Sequence, residues 1–319
     1  MNEPPKPYFS FSEFTYRDTP KQRVLSGINQ LDYLLKGFEM GCITLWTGRT
    51  NAGKSTVLTH IIKNSIKQNQ KVFWFNGEKS KDDSKDDLYH QLASKEDLNV
   101  RQYENTCIFD SFLTKSKAEQ LANQYNRMIF IYNNEFGAKI NNLLYAMEEV
   151  RRIYGVKVFI LDNFMQIDVT SENVFNEQAN IMEKIRQFAV NNEVHIHLVA
   201  HPKKVERGQV MLSLEDIAGT MNMANKAYNV ISIMRTDLMD KESLEYKRLR
   251  ERMFKEKYDI EQSSTILEVL KTKGTRNGLV GLVYDKDTRS FIEQPKMASE
   301  LLEKKKYEEK RDDGQQKWK

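Results

Sequence analysis

Short apolar runs alternate with stretches of helical periodicity along most of this chain of 319 residues. Ile43–Trp46, Lys71–Phe75, Cys107–Phe109, Met128–Tyr132, Val156–Leu161, His195–Ala200 and Val230–Met234 are each too brief for a helix. They are also too continuously apolar for strands with one wet face. Between them the pattern predicts helices after the first strand's loop to about Lys67, near 82–95, over Ile140–Tyr154 and over Asn180–Val190. In Ile140–Tyr154, for example, Leu143, Leu144, Met147 and Val150 fall on one face. Gly27–Gly37 reads as a short helix stopped by Gly37, and Ile266–Leu270 with Leu279–Tyr284 as a closing pair of strands. Buried strands alternating with helices predict the α/β class, a mostly parallel sheet covered on both faces. In such a sheet a ligand sits beyond the carboxyl ends of the strands.

The first predicted strand runs into Gly48, Gly53, Lys54 and Ser55, a complete G-x-x-x-x-G-K-[ST] loop, and a helix follows it. That is the strand–loop–helix setting of a phosphate-binding loop. Its backbone N–H groups, including those of Asn51, Ala52 and Thr56, can turn toward a polyphosphate. Lys54 can reach the terminal phosphates, and Ser55 can ligate Mg2+ at the helix N-terminus. The sequence therefore predicts a P-loop protein that binds a nucleoside triphosphate with Mg2+.

Three polar residues close other apolar runs. Asp162 ends Val158–Leu161, Glu78 follows Lys71–Phe75, and His201 follows Ile196–Ala200. In a parallel sheet these ends share one edge, so the three should converge on the P-loop. Asp162 suits the hydration shell of Mg2+ beside Ser55. Asn163 cannot act as a base, which leaves Glu78 to orient an attacking water; a helix N-terminal Glu is the plainer alternative. His201 is either a structural hydrogen-bonding residue or a sensor of the terminal phosphate. The loop behind it carries Lys203, Lys204 and Arg207, and the loop after Asp162, about Met165–Glu177, is long and polar. Both could meet a polymer, although basic residues also serve solubility.

Composition narrows the class. The net charge of +4 balances 49 basic against 45 acidic residues, so any nucleic-acid surface must be local. Cys42 and Cys107 are the only cysteines, lie far apart and read as reduced core residues without a zinc site. No apolar run reaches the roughly 18 residues of a membrane span, and the start lacks a signal or transit pattern, so a cytoplasmic setting is expected. Residues 1–21 hold four of the six prolines and read as an arm, 22–294 as one domain with a charged helical insertion at 236–262, and 295–319 as a charged tail.

Together these motifs resemble the RecA-type motor of ring-shaped replicative helicases, the DnaB superfamily, with phage helicases and mitochondrial Twinkle as the nearest likeness. The resemblance rests on Gly27 to Gly37, the P-loop, Asn76-Gly77-Glu78, Phe159 to Asn163, and His197 to Lys204. It continues through Leu214 to Thr220, Asn225 with Ala227, Ile231 to Arg235, and Leu267–Tyr284 with Lys271, Gly278 and Tyr284 in place. It implies a RecA-like fold and an ATP-driven helicase or translocase moving 5′ to 3′ on single-stranded or forked DNA. Six copies would form the ring, with a separate primase, polymerase or loader as further partners and no membrane. It also implies that Arg235 and Tyr284 flank the adenine, that His201 senses phosphate, and that each site is completed by cations from a neighbour.

Three departures stand out. The usual Lys-x-Arg of the closing segment is Lys271-Thr272-Lys273 with Arg276 just beyond, so Lys273 or Arg276 is expected as the finger, Arg276 being favoured for its planar fork. The usual Ala-Asp of the fourth motif is Ala227-Tyr228. About 20 residues precede the motor, so ring assembly is expected to rest on this arm and the motor's own faces. A RecA/RadA-like recombinase and an ATP-switched loader or regulator are the competing readings.

Overall fold

Parallel strands with both faces covered do form the centre of the molecule. The structure, a computed structural model, describes residues 10–298 apart from 14–18, 79–80, 103–108, 170–172, 206–208 and 218–220. Among them nine strands share one sheet: β1 (Ile43–Gly48), β2 (Val72–Asn76), β3 (Ile129–Ile131), β4 (Val158–Asp162), β5 (His195–Val199), β6 (Asn229–Arg235), β7 (Thr265–Lys271), β8 (Gly278–Asp285) and β9 (Ser290–Glu293). Their order is β9-β8-β7-β6-β1-β5-β4-β2-β3. The six strands from β6 to β3 are parallel, and β7, β8 and β9 add an antiparallel flank. The helices are α1 (Asn29–Leu35), α2 (Lys54–Lys67), α3 (Lys81–Leu92), α4 (Lys115–Gln124), α5 (Ile140–Tyr154), α6 (Val174–Asn192), α7 (Met221–Lys226) and α8 (Leu244–Lys255).

The apolar runs are continuous because successive side chains enter different cores. Trp46, Trp74 and Ile160 pack with Leu31, Val57, Ile61 and Leu249 on one face. Leu45, Phe73, Phe159 and Leu161 pack with Leu143, Met147 and Ile185 on the other. Helix α5 runs between the residues expected for it, and α2 ends at Lys67 as expected.

Several elements depart from expectation. Helix α6 begins at Val174, not Asn180; the Asn173 side chain caps it by accepting from the Asn176 N–H at 3.1 Å, which shortens the loop after Asp162. Lys36, at φ 60°, makes the left-handed cap of α1, one residue before Gly37 at φ 75°. Cys107 lies outside the described residues; Phe109–Leu113 pairs with Leu98–Gln102 as a hairpin separate from the main sheet. Strand β9 adds an edge that the apolar pattern does not foreshadow. Arg207, the N-terminal nine residues and the tail from 299 lie outside the described residues.

The charged stretch 236–262 contains α8, whose Tyr246, Leu249 and Met253 are buried in the core. Truncating Leu249 to Ala there would cost about 2–5 kcal/mol, so this helix belongs to the domain's packing and is no loose insertion. Cys42 is partly buried, and burial pushes its thiol up to about 11, keeping it protonated. No helix of the described residues is long and apolar enough to cross a membrane.

Candidate active site

The P-loop joins the end of β1 to α2, and its two glycines are required by geometry. Gly48 sits at φ 156°, where a Cβ would lie 2.6 Å from the Ile233 carbonyl oxygen of the adjacent strand. Gly53 caps α2 at φ 90°, and a Cβ there would press on the Phe291 ring at 3.4 Å. Lys54 is buried, and its ammonium donates to the Gly48 and Arg49 carbonyls at 3.0 and 2.9 Å. Burial lowers its pKa, against the pull of Asp162 and Glu78.

Ser55, one residue on, donates its hydroxyl to Asp162 Oδ2 at 2.9 Å. Asp162 ends β4 and is only 2% exposed; burial raises its carboxyl pKa, the Ser55 hydroxyl opposes that rise, and Glu78 adds to it. The pair holds a hydroxyl and a carboxylate side by side at the start of α2. This donor set suits a hard, oxygen-seeking cation.

The turn after β2 sets Glu78. Asn76 accepts from the Glu78 N–H at 3.1 Å and donates to Ser84 Oγ at 3.0 Å, while Gly77 donates its N–H to the Asp162 carbonyl at 2.7 Å. Gln166 crowds Gly77, where a Cβ would come within 2.5 Å of its side chain. Glu78 Oε1 lies 2.9 Å from His201 Nε2, and Asn163 Nδ2 donates to Glu78 and lies 2.9 Å from the same His201 nitrogen. Asn163 Oδ1 meanwhile accepts from the Met165 N–H at 2.8 Å, which orients the amide. Glu78, Asp162 and His201 thus meet at one sheet edge, as their strand-end positions predict. The part of Asn163 is not legible in the sequence: it is no base, yet it ties Glu78 and His201 together.

A cavity of about 680 Å3 opens over this edge, lined by Thr50–Thr56, Glu78, His201, Arg235 and Tyr284. Asp237, Lys286 and Phe291 also line it, and sequence reasoning missed all three. Arg235 forks onto Asp237, with Nε to Oδ1 at 2.9 Å, and reaches the Asn51 carbonyl at 3.3 Å. The Tyr284 and Phe291 rings stand 5.5 Å apart, tilted by 56°. Beside the P-loop the cavity is therefore walled by a guanidinium and two rings, suited to a flat heteroaromatic base.

Lys273 and Arg276 do not line this cavity. They lie in the turn between β7 and β8. Thr265, at the other end of β7, does line the cavity, whereas Lys271 pairs with Val230 at the amino end of β6. A seven-residue strand separates the two ends, about 20 Å. Lys273 sits 5.6 Å from the Tyr228 ring, and Arg276 pairs with both oxygens of Glu256 at 2.6 and 2.8 Å. Lys203 and Lys204 are exposed on the loop behind His201.

The model of the DnaB-like helicase C-terminal domain matches residues 24–293. A DnaB-like replicative helicase, solved in a study of its interactions with primase, aligns at TM-score 0.66 and 18% identity over 86% of this chain and 62% of that one. This chain therefore spans under two thirds of that helicase. A separately solved ATPase domain aligns at TM-score 0.66 and 18% identity over 87% of this chain and 93% of that one. A KaiC-like protein from Pyrococcus horikoshii aligns at 0.55 and 16% over 86% of this chain and all of that one (100%). Such identities establish the RecA-like fold that the strand order already describes. The family match extends over the whole described sheet and both halves of the site, and the chain belongs to the DnaB-like helicase C-terminal domain family.

Proposed function

We propose that this protein is an ATP-driven helicase or translocase that works on single-stranded DNA as a ring of identical copies, hexameric in the family pattern and moving 5′ to 3′. The observation that carries the reading is the joint between two pairs. Ser55 meets Asp162 beside the P-loop, and Glu78 meets His201 and Asn163 at the same edge. The P-loop N–H groups of Gly48 and Asn51 to Thr56 cradle the polyphosphate, and Lys54 exchanges its carbonyl partners for phosphate oxygens. Ser55 and Asp162 hold Mg2+, which when bound neutralises charge on the terminal phosphates. Glu78 accepts the proton of the attacking water.

The position of one proton gives His201 two alternatives. With Nε2 protonated it donates to Glu78; with Nε2 bare it accepts from Asn163. A change at the terminal phosphate that alters Glu78 therefore reaches His201 and the loop carrying Lys203, Lys204 and Arg207, which we assign to the DNA. Arg235 and Tyr284 hold the adenine. Arg276 or Lys273 of a neighbouring copy supplies the trans cation, because neither can reach the cavity of its own chain.

The test is unwinding of a forked DNA with a 5′ single-stranded tail, with ATP and Mg2+, beside Lys54→Ala. Strand release that the substitution abolishes is expected. ATP turnover without release, on either tail polarity, would sink the helicase reading in favour of a loader or a recombinase.

A further inference from the structure

The loop behind His201 is anchored at a point that the proposed chemistry does not use. Its first residues are closed by an antiparallel bridge between Pro202 and Ile217 and by the Lys203 N–H donating to the Asp216 carbonyl at 2.6 Å. Its returning limb, Gln209–Met211, is gripped from two directions. Arg49, inside the P-loop but facing away from the cavity, donates Nη1 to the Gln209 carbonyl at 2.7 Å. From the first turn of α8, the Glu245 carboxylate accepts from the Val210 N–H at 3.0 Å and the Met211 N–H at 2.5 Å. Val210 and Leu212 are buried. Gln209 Nε2 reaches Asp216 Oδ2 at 3.3 Å, and that oxygen is also held by Ser213, so the two limbs are tied together.

A backbone segment with two adjacent N–H groups on one carboxylate, a carbonyl on one guanidinium and apolar side chains in the core is a fixed point. Charge-assisted bonds of this kind are about twice as strong as neutral ones. We infer that Glu245 and Arg49 are positioning residues that pin Gln209–Met211 as the fulcrum of the loop, so that a change at the nucleotide displaces its Lys203 and Lys204 limb. His201 supplies the moving end, one residue before the bridge. Arg49 supplies a second, direct link, because its backbone carbonyl also holds Lys54 at 2.9 Å. Without the anchor, a shift of His201 would have no fixed point to turn the Lys203 and Lys204 limb about. This also gives α8 a task beyond packing. The inference deepens the helicase reading by naming how the nucleotide site regulates its proposed DNA contact, and it rests on that reading only for the DNA.

Amide hydrogen exchange over residues 202–214 of the full chain, with and without Mg2+ and a non-hydrolysable ATP analogue, tests the anchor without DNA. In the wild type the analogue should change exchange across the loop. In Glu245→Ala that response should be lost while the analogue still binds, because Glu245 does not line the cavity. Arg49→Ala should lose it as well, and Arg49→Lys should regain it, since an ammonium also donates to the Gln209 carbonyl. A wild-type loop that ignores the analogue, or a Glu245→Ala loop that responds as the wild type does, overturns the proposal. Should Glu245→Ala fail to fold, the Arg49 pair decides the matter alone.

A parallel ATPase assay with single-stranded DNA separates the two claims. DNA stimulation should fall about tenfold in the anchor variants, the factor carried by one charge-assisted hydrogen bond. A wild type whose loop responds but whose turnover ignores DNA leaves the anchor standing and removes the helicase.

Discussion

The Ser55 hydroxyl donates to the Asp162 carboxylate at 2.9 Å, joining the first turn of α2 to the end of β4 across 107 positions of sequence. Asp162 is buried, and burial raises its carboxyl pKa. A raised carboxyl favours the neutral form in the fold. Its contribution to stability is therefore present at low pH and lost as pH rises through the folded value. At neutral pH the fold carries this charge at a cost, which a bound dication would offset.

Asp162→Asn should accordingly leave the nucleotide-free protein as stable as the wild type or more so at pH 8, because the amide oxygen still accepts from Ser55. The same change should remove the Mg2+-dependent part of the melting-temperature gain with ATP. Thermal denaturation with ATP, with and without Mg2+, measures both. A clear drop in nucleotide-free stability would mean that Asp162 is a structural hub and not a cation ligand.

Glu78→Gln should bind ATP normally and lose hydrolysis by about 10²–10⁴-fold, the range of a general base. Asn163→Ala should lower turnover by about tenfold at unchanged ATP affinity, because it removes one donor from Glu78. Phosphate release and fluorescent-nucleotide titration report the two quantities. Undiminished hydrolysis in Glu78→Gln would move the base elsewhere.

Acid should unfold the protein earlier than its carboxylates alone would dictate. Burial pulls His60 and His195 down to about 4, and it holds His197 well below the ordinary imidazole value too. The unfolded chain binds these protons near 6.5, so stability is full above that value, falls as pH drops toward 4, and levels off below. His60 and His195 each account for up to about 3 kcal/mol of that loss. Urea titrations at pH 7, 5.5 and 4.5 should show a falling midpoint, and His60→Gln should flatten the trend because neither His60 nitrogen has a partner to lose. A midpoint independent of pH over this window would show that the histidines titrate freely.

Mixing two inactive variants tests the trans cation. Arg276→Ala and Lys54→Ala fail for different reasons, so random 1:1 assembly should leave about a quarter of sites with an intact Lys54 and an intact neighbouring Arg276. Recovered ATPase activity would be concentration-dependent. Recovery with Lys273→Ala in place of Arg276→Ala would assign the finger to Lys273, and no recovery with either would remove the trans assignment.

What can be read from the chain is what period and strand-end position control. Helix α5 is legible to the residue because its apolar face repeats over the whole of Ile140–Tyr154. The meeting of Glu78, Asp162 and His201 follows from parallel strands alone. The start of α6 is not legible, since its first turn is exposed at Val174 and Phe175 and offers no apolar stripe. The Leu98–Gln102 strand is solvent-facing along nearly its whole length, and β9 is only four residues long, so neither leaves a period to detect. Phe291 enters the cavity through tertiary packing, which local pattern does not encode, whereas Asp237 is drawn in by Arg235 only two residues before it. Asn163 is legible only as a residue that cannot be a base, because a positioning amide has no chemistry of its own to suggest its link between Glu78 and His201.

The antiparallel flank gives the molecule a direction. Its share of the cavity wall, at Tyr284 and Thr265, and its cationic turn, at Lys273 and Arg276, occupy opposite ends of the same β7–β8 hairpin. Copies that completed one another's cavities could never pair face to face, since that would set cavity against cavity. They would stand head to tail, each giving at one end what it lacks at the other. In such a series every cavity is oriented alike, and the turn and the rise from copy to copy decide whether the series closes on itself or runs on as a filament.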